Sequence, residues 1–404
     1  MTGQTWRMPI VVLICGAVIL AFNMGTRQTF GLFLEPMTAD LNIGRGTFAL
    51  AIAVQNLLWG ILTPFFGIFA DRYGTARCIA LGGVIYVAGL LLMALGDSVF
   101  ALHMGAGILV GIAVAACGFP LVLSAVARAF PAEKRSAALG IAAAGGSLGQ
   151  FLLLPFAQVT MGWLGWAGAI LVLAALTALI VPLSAALAGK PAVATISEQS
   201  LGAAMIEARS HRGYQLLNIG FFVCGFHVAF IATHLPSYIN TFGLDPIVGA
   251  SALGIIGFFN IIGGLLAGYL GGRYRKKYLL SGIYLARAVT ITLFLLAPKT
   301  ELAVWLFAAS FGLLWLSTVP LTSGLVGDVF GPRYLATLFG VVMFSHQIGG
   351  FLGAWLGGLS YDLTGSYNVV WLISIALGLM AAVVHWPIAD RPVAELRAAR
   401  QAAE

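Results

Sequence analysis

Apolar blocks of twenty or more residues, rich in Leu, Ala and Gly and separated by short polar breaks, run the length of the chain. None alternates with a period of two, so the pattern predicts membrane-spanning helices rather than barrel strands. A helix needs ~20 apolar residues to cross a hydrocarbon core about 30 Å thick. The predicted spans are 9–34, 46–69, 76–96, 101–128, 136–158, 164–188, 215–238, 248–271, 277–297, 302–327, 335–358 and 368–388. One long polar break, Gly189 to Tyr214, separates the sixth span from the seventh, and its Thr195-Ile196-Ser197-Glu198-Gln199 has the form of a helix start. It predicts a linker with a short surface helix. The expected division is a first half at 1–188, a linker at 189–214, a second half at 215–390 and a tail at 391–404. The first span begins too near the terminus and runs too long for a cleaved leader, and no small-x-small cleavage site follows it.

Composition agrees with the pattern. With 60% hydrophobic residues, 9% charged residues and a mean hydropathy of +0.98, the chain departs from soluble globules, whose charged fraction is about a quarter. Of the 21 Lys and Arg residues, 17 fall on the side that carries both predicted termini, two (Arg45 and Lys299) on the other, and two (Arg27 and Arg287) inside spans. That asymmetry predicts a multi-pass protein of the cytoplasmic membrane with both termini cytoplasmic. The net charge of +7 is an orientation signal, and with no basic soluble face it gives no reason to expect a nucleic-acid partner.

The two halves repeat. At an offset of 200 residues, Gly25, Phe30 and Pro36 meet Gly225, Phe230 and Pro236; Pro120 and Phe130 meet Pro320 and Phe330; Gly140 and Gly149 meet Gly340 and Gly349. Gly67 and Arg72 meet Gly268 and Arg273 with one residue of slip. Parallel repeats of this kind place a substrate site near mid-membrane, between the halves.

Between spans 2 and 3, Gly67-Ile68-Phe69-Ala70-Asp71-Arg72-Tyr73-Gly74-Thr75-Ala76-Arg77 resembles the loop signature of the major facilitator superfamily. The resemblance implies an all-α membrane protein with twelve transmembrane helices in two six-helix pseudo-symmetric halves, in which helices 1, 4, 7 and 10 line the path. It gives Gly67, Asp71, Arg72 and Arg77 a gating role. Asp71 suits it physically, because a carboxylate can take up helix-dipole and arginine charge and lock the halves in one state. In the second copy Gly272 replaces the aspartate. Within the superfamily, Thr29-Phe30-Gly31-Leu32-Phe33 and the basic cavity resemble monocarboxylate and oxalate/formate transporters. Those families carry a substrate arginine on the eighth helix, where this chain has Asn260, Gly263 and Gly264. Drug antiporters show a glycine-proline pair on helix 5, which Gly145-Gly146-Ser147-Leu148-Gly149-Gln150 lacks.

An arginine at the centre of a membrane helix costs roughly 2.5–3.5 kcal/mol, so Arg27 is a functional candidate. It shares a helical face with Asn23 and Phe30, and Arg27 falls on His227 in the repeat. The competing reading sends Arg27 to the outer surface, since Pro36 is about 14 Å further along the helix. On span 7 the same spacing joins His227, His234 and Tyr238; packing histidines are the alternative there. Ser345-His346-Gln347 forms a polar island in span 11, and Gln55 and Asn56 form another in span 2, where bridging between helices is the plain alternative. Trp315, Thr318 and Thr322, with Cys117 and Pro120, would supply cavity walls. Arg287 is expected to turn inward onto helix-end carbonyls. The four cysteines lie in separate spans without ligand spacing, so neither a disulfide, a metal site nor any cofactor is expected.

All fourteen acidic residues fall in loops, tails or helix ends by these spans, which leaves a cavity of Arg27 and histidines without a counter-charge. Such a site suits an anion. The expected function is secondary transport of a small organic anion, a monocarboxylate first, by rocking of the halves; an exporter of amphipathic or aromatic compounds is the alternative. A coupled proton would have to ride on a histidine or on the substrate's own carboxylate. With no His-Glu-x-x-His, Gly-x-Ser-x-Gly or phosphate loop, an enzyme is not expected, and the partners left are the substrate, lipid and protons, for a monomer.

Overall fold

In hydrocarbon no water answers a backbone N–H or C=O, which makes the helix the default, and the computed structural model is helical through every apolar block. It describes residues 8–189, 201–331, 335–390 and 392. The membrane helices are α1 (Pro9–Asp40), α2 (Arg45–Tyr73), α3 (Thr75–Leu95) and α4 (Val99–Ala129). Next comes one apolar helical segment, Ala137–Leu187, of 51 residues. At 1.5 Å per residue it would measure about 76 Å, far beyond one crossing. Gly165, at φ 71°, turns the chain there in a conformation that only glycine adopts readily, giving α5 before it and α6 after it. The second half follows as α7 (Arg212–Asn240), α8 (Pro246–Gly271), α9 (Lys276–Leu296), α10 (Glu301–Phe330), α11 (Thr337–Thr364) and α12 (Asn368–His385).

A helix at Leu201–Ser210 precedes α7; the Thr195–Gln199 helix start and the tail beyond 392 lie outside the described residues. Several helices outrun their predicted spans. The sequence pattern stops the first at residue 34, but α1 continues through Pro36 to Asp40, with a tightened turn at Thr29. Glu35, expected at a helix end, is therefore inside the helix. Likewise α2 reaches Tyr73 and α11 reaches Thr364.

α4 and α10 break at matching places, at Cys117–Gly118 and at Trp315–Ser317, and each resumes with a proline, Pro120 or Pro320, in its new first turn. Proline is tolerated there because the first turn has no use for its missing N–H. The repeated glycines have an equally physical reason. A Cβ on Gly149 would sit 2.1 Å from the Ala21 carbonyl oxygen, and one on Gly349 would sit 1.9 Å from that of Phe222. These positions set the α1–α5 and α7–α11 crossings at backbone contact.

The halves meet through α1 with α7, α2 with α11 and α5 with α8. Gly31 lies against the Ala232 carbonyl, Gly358 against that of Arg45, and Gly257 against Gln150. These contacts lie in the membrane interior and toward the side opposite the chain termini, here the distal side. At the termini-side ends of α2, α5, α8 and α11 the picture reverses: a Cβ on Gly67, Gly140, Gly268 or Gly340 would meet nothing within 4 Å. The tight seam contacts are thus distal and interior, and these four termini-side glycines make none. On the termini side of the second half, the Arg275 fork grips Asp390 at 2.9 and 2.5 Å and holds its carboxyl below the usual carboxylate range.

Gly149→Ala and Gly349→Ala are expected to destabilise the protein by about 1–3 kcal/mol each, as overpacking does. Gly140→Ala and Gly340→Ala should leave stability unchanged or higher, since open helical glycine is the weaker helix former. Thermal unfolding in detergent, followed by tryptophan fluorescence, separates the two pairs.

Candidate functional site

A small pocket lies where α1, α2 and α7 meet between the halves. Arg27, Gln28, Phe30 and Gly31 line it from α1, Ile52 and Gln55 from α2, and Val228, Ala229, Ala232 and Thr233 from α7. In this closed-down form it has room for the centre of about one water molecule, about 10 Å³.

Arg27 is half-buried and does not reach for the surface. Its Nη2 donates to Asn56 Oδ1 at 2.5 Å, and its guanidinium lies 4.9 Å from the centre of the Trp59 ring. Asn56 is itself anchored, with Nδ2 donating to the Ile52 carbonyl at 2.8 Å. The Arg27 Nε has no protein partner, and among the described residues no carboxylate pairs with the side chain. Gln55 donates to the Ala106 carbonyl at 2.7 Å and keeps Oε1 unbonded. Gln28 bonds Gln150 at 3.3 Å, and Gln150 donates across to the Leu253 carbonyl of α8 at 3.0 Å.

The remaining candidates are elsewhere. Asn23 is fully buried beside α3, where its carbonyl accepts from Tyr86 at 3.0 Å, and its side chain lacks partners. His227 bonds the Ser374 carbonyl of α12 at 2.8 Å and His234 the Ala354 carbonyl of α11 at 2.7 Å. Tyr238 packs on Tyr367 and Trp371. The spacing rule put these three on one stripe of α7, as they are, but the stripe faces α11 and α12 while residues 228, 229, 232 and 233 face the pocket. His346 is buried with its ring 5.1 Å from that of Phe221 and both nitrogens unbonded. Gln347 lies against Gly60 of α2. Trp315 is buried at the α10 break. Gly67 faces open space, and Asp71, Arg72 and Arg77 are exposed, with Arg72 beside the Tyr73 ring.

Arg287 is the second guanidinium inside the membrane, fully buried. It donates to the carbonyls of Leu314 at 2.7 Å and Trp315 at 2.5 Å, which the α10 break leaves without helical partners, and Nη2 lies 3.5 Å from Cys224 Sγ. Its bonds are those of a strut.

The sequence matches the family model of the Major Facilitator Superfamily over residues 16–354 and 261–404. This chain belongs to the Major Facilitator Superfamily. It is a multi-pass membrane transporter and not an enzyme. It is 27% identical over 391 residues to an uncharacterized MFS-type transporter, YcxA, of Bacillus subtilis (strain 168), covering 93% of this chain and 95% of that one. It is 24% identical over 396 residues to monocarboxylate transporter 13 of Bos taurus, covering 95% and 88%. The fold is similar to that of a bacterial homolog of the human lysosomal transporter Spinster in an inward-facing, occupied conformation, with TM-score 0.76, 14% identity, and 94% and 96% of the chains covered.

For this transporter, sequence reasoning passed over Trp59, Gln28 and Thr233. Trp59 lies one helical turn from Gln55 and Asn56, a signal that i, i+4 spacing on α2 would have given.

The two arginines should respond differently to loss of charge. Arg27→Met removes a cation without a counter-ion, which offsets the one Asn56 oxygen it strands, and is expected to change thermal stability little. Arg287→Met strands two buried carbonyls and should cost about 1–3 kcal/mol for each. Equal loss in both would mean that Arg27 is a strut as well.

Proposed function

We propose that this transporter moves a small organic anion, a monocarboxylate first, across the cytoplasmic membrane by alternating access, with both termini cytoplasmic and as a monomer. One observation carries the reading: the guanidinium at the interface of the halves is held by an amide oxygen and a ring face, both neutral, and keeps donors free beside the pocket. A buried charge without a partner is costly, and a carboxylate would supply one by two charge-assisted hydrogen bonds. Gln28, Gln55 and Thr233 offer further polar contacts, while Phe30, Ile52 and Val228 suit a short apolar tail. Similarity to a protein named as a monocarboxylate transporter supports the same class.

The pocket's small size fits a site that opens as the halves move and closes on what enters. Proton symport, in this reading, carries the proton on the substrate's own carboxylate or on a histidine; His227 and His234 each donate one ring nitrogen to a carbonyl and keep Nδ1 unbonded. When the distal face opens, the exposed Asp71 would meet the opposite half and close the termini side. The inner lock of the signature fits that step.

Two measurements test the reading. A thermal-shift screen against small carboxylates should give a stabilising ligand, because a ligand that binds only the folded state raises its stability. Arg27→Ala should then lose at least about thirty-fold in affinity, the equivalent of ~2 kcal/mol, and Arg27→Lys should also weaken binding because it lacks the fork. Undiminished carboxylate binding in a folded Arg27→Ala protein would sink the proposal, and stabilisation by hydrophobic cations alone would favour an exporter.

Asp71→Asn should leave that affinity within a few-fold while slowing uptake in vesicles roughly ten-fold or more, the effect of weakening a charged contact by about 1.4 kcal/mol. Uptake at the wild-type rate would remove Asp71 from the transport cycle.

A further inference from the structure

On the distal face, the described residues contain one ion pair at the seam of the two halves. Arg45 of α2 meets Glu35 of α1 at 2.9 Å, and the Glu35 carboxylate also accepts from Ser237 Oγ at 2.8 Å and Asn240 Nδ2 at 2.7 Å, both on α7. Arg45 continues across the seam to Ser237 Oγ at 2.5 Å and Tyr367 at 2.7 Å. The other three ion pairs of the described residues lie within the second half, on the termini side. Charge therefore ties the halves together distally.

Every partner of Glu35 is a donor, and that decides what a proton would do. A carboxylate can accept from a guanidinium, a hydroxyl and an amide together, because it carries four lone-pair sites and no proton. The protonated acid loses the ion pair and turns two charge-assisted bonds across the seam into ordinary ones. Water has a route to the site. Glu35, with 31% of its side chain exposed, lines a distal cavity of about 400 Å³ together with Pro36, Gln158, Trp166, Ser237 and Asn240.

We propose that Glu35 is a proton-binding site of the distal face: as a carboxylate it holds that face shut, and a proton arriving through the distal cavity releases it. The proton enters and leaves on one side, so the site sets which face is open and does not itself carry protons across. With both termini cytoplasmic, external acidity would bring the empty carrier back to its outward-open form. The inference is independent of what Arg27 binds.

The other groups at the site are specific competitors for the effect. From α11, Asp362 accepts from the Arg45 and Gly46 backbone N–H groups at 2.8 and 2.7 Å, capping α2 from the opposite half, and Tyr361 lies 3.7 Å under the Arg45 guanidinium. Tyr367 precedes α12. On α7, His234 lies within the field of Arg45 but is bonded to Ala354. Gln158 and Trp166, from α5 and α6, and Pro246, from α8, are neutral.

The test needs no substrate. Spin labels at Phe100→Cys and Leu302→Cys, exposed distal positions in opposite halves, report the distal opening in protein whose native cysteines are replaced by serine. Between about pH 7 and about pH 3.5, a range that brackets the ordinary glutamate value of about 4.3, the longer-distance population should grow at the expense of the shorter one. Glu35→Gln should show the longer population throughout, with an open-to-closed ratio about ten-fold or more above wild type at the higher-pH end. Ser237→Ala with Asn240→Ala, which leaves the ion pair in place, should move the ratio the same way and guards against a Glu35→Gln protein that does not fold. A wild-type distribution insensitive to pH, a full pH response surviving in Glu35→Gln, which would assign it to another distal carboxylate such as Asp362 or Asp40, whose Oδ2 accepts from Trp166 at 3.1 Å, or an unmoved ratio in the double variant would each overturn the proposal.

Discussion

A guanidinium in or beside hydrocarbon must be answered by something, and the structure answers three of them in three ways. Arg287 is given backbone carbonyls, and in return it holds the break of α10 in shape. Arg45 is given a carboxylate on its own half and hydroxyls on the other, and so ties the distal seam. Arg27 is given only an amide and an indole. The first is satisfied by dipoles and the second by charge, but the third is left with its charge uncompensated at the place where the two halves meet. On the reading proposed above, a small anion would meet the electrostatic demand that one unanswered cation makes in a low-dielectric site.

The glycines set how closely the helices pack within each half and where the two halves touch. Within each half, Gly149 and Gly349 bring helices to backbone contact, which makes α1 with α5, and α7 with α11, stiff pairs. Between the halves, distal contacts such as Gly31 on Ala232 are just as tight, while Gly67, Gly140, Gly268 and Gly340 face open space at the other end. Glycine surfaces at both ends of the same seam would suit the proposed cycle, in which rigid bodies close at one end as they part at the other. The 200-residue repeat is the sequence trace of that arrangement.

That repeat, the twelve apolar blocks and the loop signature made the fold legible, because membrane burial imposes the same requirement on every block. The site was legible only in part. Arg27 stood out because a charge in an apolar run is conspicuous, and Asn56 because an amide is nearly so. His227, His234 and Tyr238 misled for a physical reason: spacing reveals that residues share a stripe and is silent on which neighbour the stripe faces. Glu35 was missed through Pro36. Proline usually ends a helix, yet in α1 the chain continues to Asp40, and a residue assigned to a helix end becomes part of the seam.

Asn260 brings these threads together. It occupies the region of helix 8 where the resembling transporters place an arginine, and here its two polar atoms do different things. Nδ2 reaches across the seam to Ser147 of α5 at 2.8 Å, while Oδ1 accepts from the Leu316 backbone N–H at 3.0 Å, inside the α10 break. Gly263, one turn on, lies so close to that break that a Cβ would be 1.9 Å from the Leu313 carbonyl oxygen. An arginine at Asn260 would add a third cation to a membrane interior that has no carboxylate to spare for it. A neutral amide can join the seam to the broken helix without that charge, linking α5 and α8 to the break that Arg287 braces. In the function proposed above, the charge that would attract the anion then rests on Arg27, on the opposite half.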